Sequence, residues 1–253
     1  MAAPTNDFKR RLLADGPPLA AVFAQLGDPS AAELCALTGF DLVIIDAEHG
    51  PNDLVSIAHQ LRAVGSRGAS AAVRCWSGER SVVKRVLDVG TQTIIVPMVE
   101  SADEAADVVG SVRYPTAGAR GVASARAAGW GTIPDYHATA ADELCVIVQV
   151  ESPGALEQLE SICAVEGIDA VFVGPTDLSS AMGHLAQGTH PEVVPVVTAA
   201  IERIAAAGCA PAVFAATPDT VDVYVRAGAR LVTLGVDAIA LRSGLAELRG
   251  RLA

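Results

Sequence analysis

Eight short apolar runs recur along the chain, at residues 19–25, 41–46, 71–74, 93–97, 145–151, 170–174, 210–214 and 231–235. Most are rich in Val and Ile, the composition expected of strands covered on both faces. Stretches of helical periodicity alternate with them, at residues 31–38, 52–64, 79–89, 102–111, 154–165, 191–207, 218–227 and 237–252. Ser30, Ser101 and Thr217 stand where N-caps belong, and Pro218 occupies a first helical position. Gly90, Gly208 and Gly228 fall just beyond helix ends. Strand and helix alternating eight times, with a right-handed crossover each time, predict an α/β fold closed as a (β/α)8 TIM barrel. A single barrel domain is expected over residues 1–253, since such barrels commonly run to about 250 residues. A doubly wound open sheet is the alternative. It normally carries a Gly-rich loop after its first strand, and QLGDPSAAEL is not one. Residues 113–144 break the rhythm, and a connection that long is expected to serve the active site or an interface.

Charge narrows the partners. Asp and Glu number 29 against 18 Lys and Arg, a net charge of −11, whereas nucleic-acid binding needs a basic field. No apolar run of about 18 residues is present to cross a membrane, and the N-terminal MAAPTNDFKRRLLADG lacks the apolar stretch of a signal peptide. Five scattered cysteines, an odd number without zinc-type spacing, predict reduced thiols and a cytoplasmic protein. The only lysines are Lys9 and Lys84, neither at a strand end, so a Schiff-base mechanism has no candidate. A Ser nucleophile elbow and a Walker loop are also absent.

Barrel enzymes carry their chemistry at the C-terminal ends of the strands. Those ends here supply Asp46, Glu48 and His49, then Arg74, Glu100, Gln149 with Glu151, Thr176 with Asp177, and Asp237. Gln149 and Glu151 are two apart on a strand and share a face. Asp177 follows the next strand through a Gly-Pro turn that can bring its carboxylate towards Glu151. Two close carboxylates repel unless a proton or cation lies between them. An all-oxygen ligand set of this kind suits Mg²⁺ or Mn²⁺. The plainer reading makes Asp177 a helix cap and Glu151 a surface group. His49 can act as a general base beside such a site or merely bond the backbone. Arg74 suits a carboxylate or enolate, or else an ion pair with Glu48. Of the other histidines, only His184, near Asp177, stands close to this end of the barrel.

The blocks FDLVIIDAEHGPND (40–53), LDVGTQTIIVPMVESADEA (87–105), RYPTAGARGV (113–122), VQVESPGAL (148–156) and VEGIDAVFVGPTDLSSAMG (165–183) resemble the HpcH/HpaI aldolase family. The resemblance runs from about Phe8 to the last helix. It implies a phosphoenolpyruvate/pyruvate-type barrel and a homo-hexamer whose C-terminal helix is exchanged between subunits. It also implies class II, metal-dependent cleavage of 4-hydroxy-2-oxo acids to pyruvate, or a close 2-oxo acid such as hydroxypyruvate, and an aldehyde. Glu151 and Asp177 would hold the divalent ion, with Mg²⁺ or Mn²⁺ favoured and Co²⁺ also fitting. Gln149 and the backbone around Thr176 would contact the 2-oxo acid, Arg74 would steady the transition state and His49 would be the base. The position of Asp88 matches an aspartate that assists the base. It falls at the wrong end of a helix to do so within one barrel, so a neighbouring subunit would deliver it. Asp46 is the local candidate for that role.

The chain has Phe23, Cys75 and Thr116 where relatives often carry Trp, Pro and Pro, and these positions are expected to alter the acceptor pocket. A citrate-lyase-type cleavage of CoA thioesters is a second reading, for which a lysine-poor, acidic chain offers little. A catalytically silent barrel that binds metal and oxo acid is a third, and His49 and Arg74 beside the carboxylate pair weigh against it.

Overall fold

A computed structural model describes residues 1–252. Eight parallel strands pair in sequence order and close, β8 returning to β1. They are β1 (Leu19–Ala24), β2 (Leu42–Asp46), β3 (Ser70–Arg74), β4 (Thr93–Val96), β5 (Cys145–Val150), β6 (Ala170–Val173), β7 (Ala210–Phe214) and β8 (Leu231–Val236). The expected (β/α)8 barrel is the fold, and every strand lies within about a residue of its expected bounds.

Strand alternation sorts the side chains into two layers. Leu42, Ile44, Ala72, Ile95, Cys145, Ile147, Phe172 and Ala212 fill the interior. Ile45, Val73, Ile94, Val146, Val148, Val171 and Val213 face outward against the helices. The same parity carries upward. Asp46 is two residues above Ile44, Arg74 two above Ala72 and Gln149 two above Ile147, so these polar side chains crown the interior columns. Asp46 and Arg74 are direct cross-strand partners.

The surrounding helices are α2 (Pro29–Leu37), α3 (Leu54–Gly65), α4 (Arg80–Asp88), α5 (Ala102–Val112), α7 (Pro153–Glu157), α8 (Leu159–Cys163), α10 (Val193–Ala206), α11 (Pro218–Arg226) and α12 (Asp237–Gly250). Ser101 and Thr217 cap α5 and α11 as expected. The cap of α2 is Asp28 rather than Ser30. Its carboxylate takes the amides of Ser30 and Ala31, and Pro29 fills the first helical position. The single helix expected over 154–165 is two short ones, broken at Gln158.

Three further helices were not expected from periodicity. The first, α1 (Asp7–Leu13), is capped by Asn6 and inserts Phe8 and Leu12 into the interior layer. The others are α6 (Tyr136–Thr139) and α9 (Pro175–Ala181), each under two turns and too short for a periodic signal.

The long 113–144 connection joins the end of α5 to the start of β5, so it lies on the lower face, opposite the strand C-termini. There Arg120 is fully buried, its guanidinium 4.6 Å over the Tyr114 ring and 3.4 Å from Asp88. The connection therefore does not serve the upper mouth of its own barrel, and it leaves Val122 and Trp130 exposed. No helix among the described residues is long and apolar enough to cross a membrane.

Candidate active site

The upper mouth of the barrel opens into a cavity of about 350 Å³. Phe23, Phe172 and Phe214 form its apolar wall, and Asp46, His49, Arg74, Gln149, Thr176 and Asp177 supply its polar groups. A larger cavity, about 620 Å³, lies at the lower face beside Lys9 and Arg113. Both of those cations are already paired, Lys9 with Asp169 and Arg113 with Glu166. Convergent charge therefore favours the upper cavity.

Arg74 is the hub. Its Nε and Nη2 donate to the two Asp46 oxygens at 2.9 and 2.7 Å, a buried bidentate fork. Its Nη1 stands 3.2 Å from Glu48 Oε2, and its guanidinium lies 4.4 Å over the Phe23 ring. Asp46 also accepts the backbone N–H groups of Glu48 (3.1 Å) and His49 (3.3 Å), which fixes the turn carrying them. The turn is tight at Gly50, where a Cβ would fall 2.5 Å from the Asp46 carbonyl oxygen.

Glu151 is buried just past the end of β5. One of its oxygens accepts the Met98 amide (2.9 Å), and the other is bonded by the Gln149 carboxamide. A Cβ on Gly174 would lie 2.7 Å from that second oxygen, so glycine there makes room for the carboxylate. Burial pushes the Glu151 carboxyl above its ordinary range, and the charges of Asp177 and Glu48 push it further. Glu48 is raised by burial, against the opposing pull of Arg74 and His49.

Three carboxylates thus crowd one another, and the Gln149 carboxamide oxygen is buried with no donor. An all-oxygen donor set, mutual repulsion and an orphan buried acceptor are what a hard divalent cation would satisfy. The residues fit such an ion.

The chain matches the HpcH/HpaI aldolase/citrate lyase family over residues 19–243. It is 43% identical to the 4-hydroxy-2-oxovalerate aldolase of Rhodococcus jostii, covering 100% of this chain and 98% of that one. The chain belongs to this family. It is also 43% identical to the hydroxypyruvate/pyruvate aldolase of Pseudomonas aeruginosa, covering 99% of this chain and 94% of that one. A crystal structure of an HpcH/HpaI aldolase/citrate lyase family protein from Burkholderia cenocepacia superposes with a TM-score of 0.91 at 39% identity, covering 97% and 100% of the two chains.

Against this HpcH/HpaI frame, the structure brings Asp46, His49, Arg74, Gln149, Thr176 and Asp177 to one cavity and sets Glu151 directly behind Gln149. One expectation changes. Asp46 makes no hydrogen bond to the His49 imidazole. It holds Arg74 and the backbone of the turn, because its carboxylate is buried and spent on the two Arg74 donors, the Glu48 and His49 amides and Gln25 Nε2. The His49 ring is exposed instead, with Nε2 3.7 Å from Glu48 Oε2.

Asp88 ends α4 at the lower face and is paired with Arg120, so within one chain it does not join the site. Asp237 is structural, accepting the Gln25 and Leu26 amides after β1. Of the three departures, only Phe23 lines the cavity. Cys75 is buried in the outer layer and Thr116 lines the lower cavity. The sequence offers Glu48 as an ion-pair partner of Arg74, and the 3.2 Å contact is present, whereas Gln25 and Asn52 carry no such expectation. Gln25 Nε2 reaches Asp46 at 3.4 Å, and Asn52 Nδ2 holds the Asp46 carbonyl at 2.7 Å. Their signal was position alone: Gln25 follows a strand, and Asn52 follows the His49-Gly50-Pro51 turn.

Proposed function

We propose that this chain is a class II pyruvate aldolase, reversibly cleaving a 4-hydroxy-2-oxo acid to pyruvate, or a close 2-oxo acid such as hydroxypyruvate, and an aldehyde. The observation that carries the reading is the juxtaposition of a guanidinium held in a bidentate fork with the buried Glu151 carboxylate, which the charges of Asp177 and Glu48 face across the mouth. Class II chemistry is supported by the absence of any lysine at the mouth, both lysines lying elsewhere.

A divalent cation held by Glu151 and Asp177, with Mg²⁺ or Mn²⁺ favoured, supplies Lewis-acid polarisation of the 2-oxo oxygen when bound. Arg74 contributes fixed positive charge where negative charge develops as the carbon–carbon bond breaks. Its orientation costs nothing at that moment because Asp46 already holds it. Gln149 and the backbone at Thr176 orient the 2-oxo acid. His49, exposed at the rim, takes the 4-hydroxyl proton in cleavage and returns it in condensation. The three phenylalanines exclude water from the reacting carbons. Pyruvate release from 4-hydroxy-2-oxo acids, coupled to a pyruvate-specific reporter, tests the reading. Activity is expected with Mg²⁺ or Mn²⁺ and lost in EDTA, and undiminished turnover in EDTA would overturn the metal assignment.

The assembly belongs to the same proposal. Among the residues of α12 only Asp237 is buried, and Ile239, Leu241, Leu245 and Leu248 are exposed. Beside its root, Val22, Leu26, Leu34, Phe40 and Val236 line an apolar groove of about 540 Å³. Exchange of α12 between subunits of a homo-hexamer would cover both surfaces, and would allow a neighbour's Asp88 to approach His49. Leu245→Glu with Leu248→Glu is expected to shift the chain to a smaller species in light scattering at unchanged helix content. An unchanged mass would refute the exchange.

A further inference from the structure

The connection between α9 and α10 gathers His184, His190 and Glu192 outside the cavity described above. One donor atom from each lies within 4.8 Å of the others, the one such grouping of three His, Cys, Asp or Glu residues among the described residues. His184 Nε2 is 3.1 Å from Glu192 Oε2. The two imidazoles stack with centroids 3.7 Å apart and planes 16° from parallel. His190 Nδ1 accepts the Glu192 amide at 3.2 Å, which keeps its ring beside the carboxylate.

A chain of backbone bonds holds the donors in place. His184 N–H bonds the Ser179 carbonyl, Gln187 N–H that of His184 and His190 N–H that of Gln187, while the His190 carbonyl accepts Val193 and Val194. Both histidines are half-buried and Glu192 is exposed, so the donors stand at the surface on a braced backbone.

We infer that His184, His190 and Glu192 form a second metal site, selective for a borderline transition ion of the Zn²⁺ class. Two imidazoles and one carboxylate suit Zn²⁺, Co²⁺ or Ni²⁺ rather than Mg²⁺, which prefers oxygen ligands and retains its water. A four-coordinate zinc with ligands near 2.1 Å needs donors about 3.4 Å apart. The His184–Glu192 pair already has that spacing. A turn of the His190 ring exchanges its bond to the Glu192 amide for the ion, and water completes the shell. The ion would staple the connection across itself. Gly188, inside that connection, packs on Pro175 at the start of α9, where an added Cβ would fall 3.2 Å from the Pro175 carbonyl carbon. The staple therefore braces the segment lying against the helix that carries Thr176 and Asp177.

The test uses the untagged full-length chain, stripped with EDTA and titrated with Zn²⁺ in excess Mg²⁺, which saturates the carboxylate site. One Zn²⁺ per chain is expected to remain bound, with hydrogen-exchange protection rising across residues 182–192. His184→Gln and His190→Gln should each weaken that uptake by more than the roughly 10–100-fold that outer-shell partners typically cost. Glu192→Gln, on an exposed side chain, should weaken it by about tenfold and guards against loss through misfolding. Magnesium-dependent turnover should be unchanged in all three variants without zinc. Zinc uptake equal in the wild type and every variant, or abolished by Mg²⁺ in the wild type, would overturn the assignment. Neither result bears on the aldolase reading, which rests on Glu151, Asp177 and Arg74.

Discussion

Glu151→Gln is expected to lower kcat/KM for pyruvate release by about 10³-fold or more, the equivalent of several kcal/mol of Lewis-acid stabilisation. The amide preserves shape and can still accept the Met98 N–H, so the barrel should fold. Burial, Asp177 and Glu48 all work against a charge at this position. The metal-free variant should therefore be at least as stable as the metal-free wild type. Thermal melts separate the effects. Wild-type Tm should climb with added Mg²⁺ or Mn²⁺, since a ligand at a hundredfold over Kd contributes about 2.7 kcal/mol. The variant's Tm should stay flat. A variant that melts early without metal, or that keeps both activity and the metal response, would remove Glu151 from the ligand set.

Arg74→Ala should damage activity and stability together. Loss of a positioned donor to a developing oxyanion typically costs about 10²–10³ in kcat. Here the deletion also strands Asp46 in the interior, and removing one partner of a buried pair costs about 3–5 kcal/mol. Arg74→Lys keeps the charge but cannot reproduce the two-pronged contact with Asp46 while also facing Glu48. It is expected to recover part of the stability and little of the kcat. The double variant Arg74→Met with Asp46→Leu, which removes both charges, should be more stable than Arg74→Ala and equally inactive. Chemical denaturation and steady-state kinetics on the same preparations read both quantities. Wild-type kcat in Arg74→Ala would exclude the guanidinium from the reaction.

The neighbourhood of Arg74 shows how far sequence reading reached. That Asp46, Arg74, Gln149 and Glu151 end up together follows from strand parity. A residue two places above an interior Ile or Ala must also face inward, and the C-terminal ends of parallel strands meet at one mouth. The partner of Asp46 does not follow from parity. Asp46 stands three residues from His49 in sequence, which suggested a carboxylate orienting an imidazole. In space it stands opposite Arg74 in the β2–β3 register. A guanidinium fork outcompetes a ring at the exposed rim for a buried carboxylate. The brevity of α9 hid in the same way. Its single Gly-Pro signal reads equally as a turn, and only packing decides that seven residues continue as helix.

His184 and His190 mark a further boundary. Five residues separate them, with a glycine and no helical phase to relate their faces. Only the fold of the connection stacks the rings beside Glu192. The sequence alone determined the barrel, because eight alternating periodicities admit few closed packings. It also determined the end of the barrel holding the chemistry and the exclusion of a lysine mechanism, because counts and strand order do not depend on packing. The tertiary structure decided which charge answers which. It tied Asp46 to Arg74, tied Asp88 to Arg120 at the opposite face, and set Asp177 and Glu48 near enough to the buried Glu151 for their charges to disfavour its ionised form. Those pairings turn on ångström-scale distances and burial between residues far apart in the chain, quantities that local periodicity does not encode.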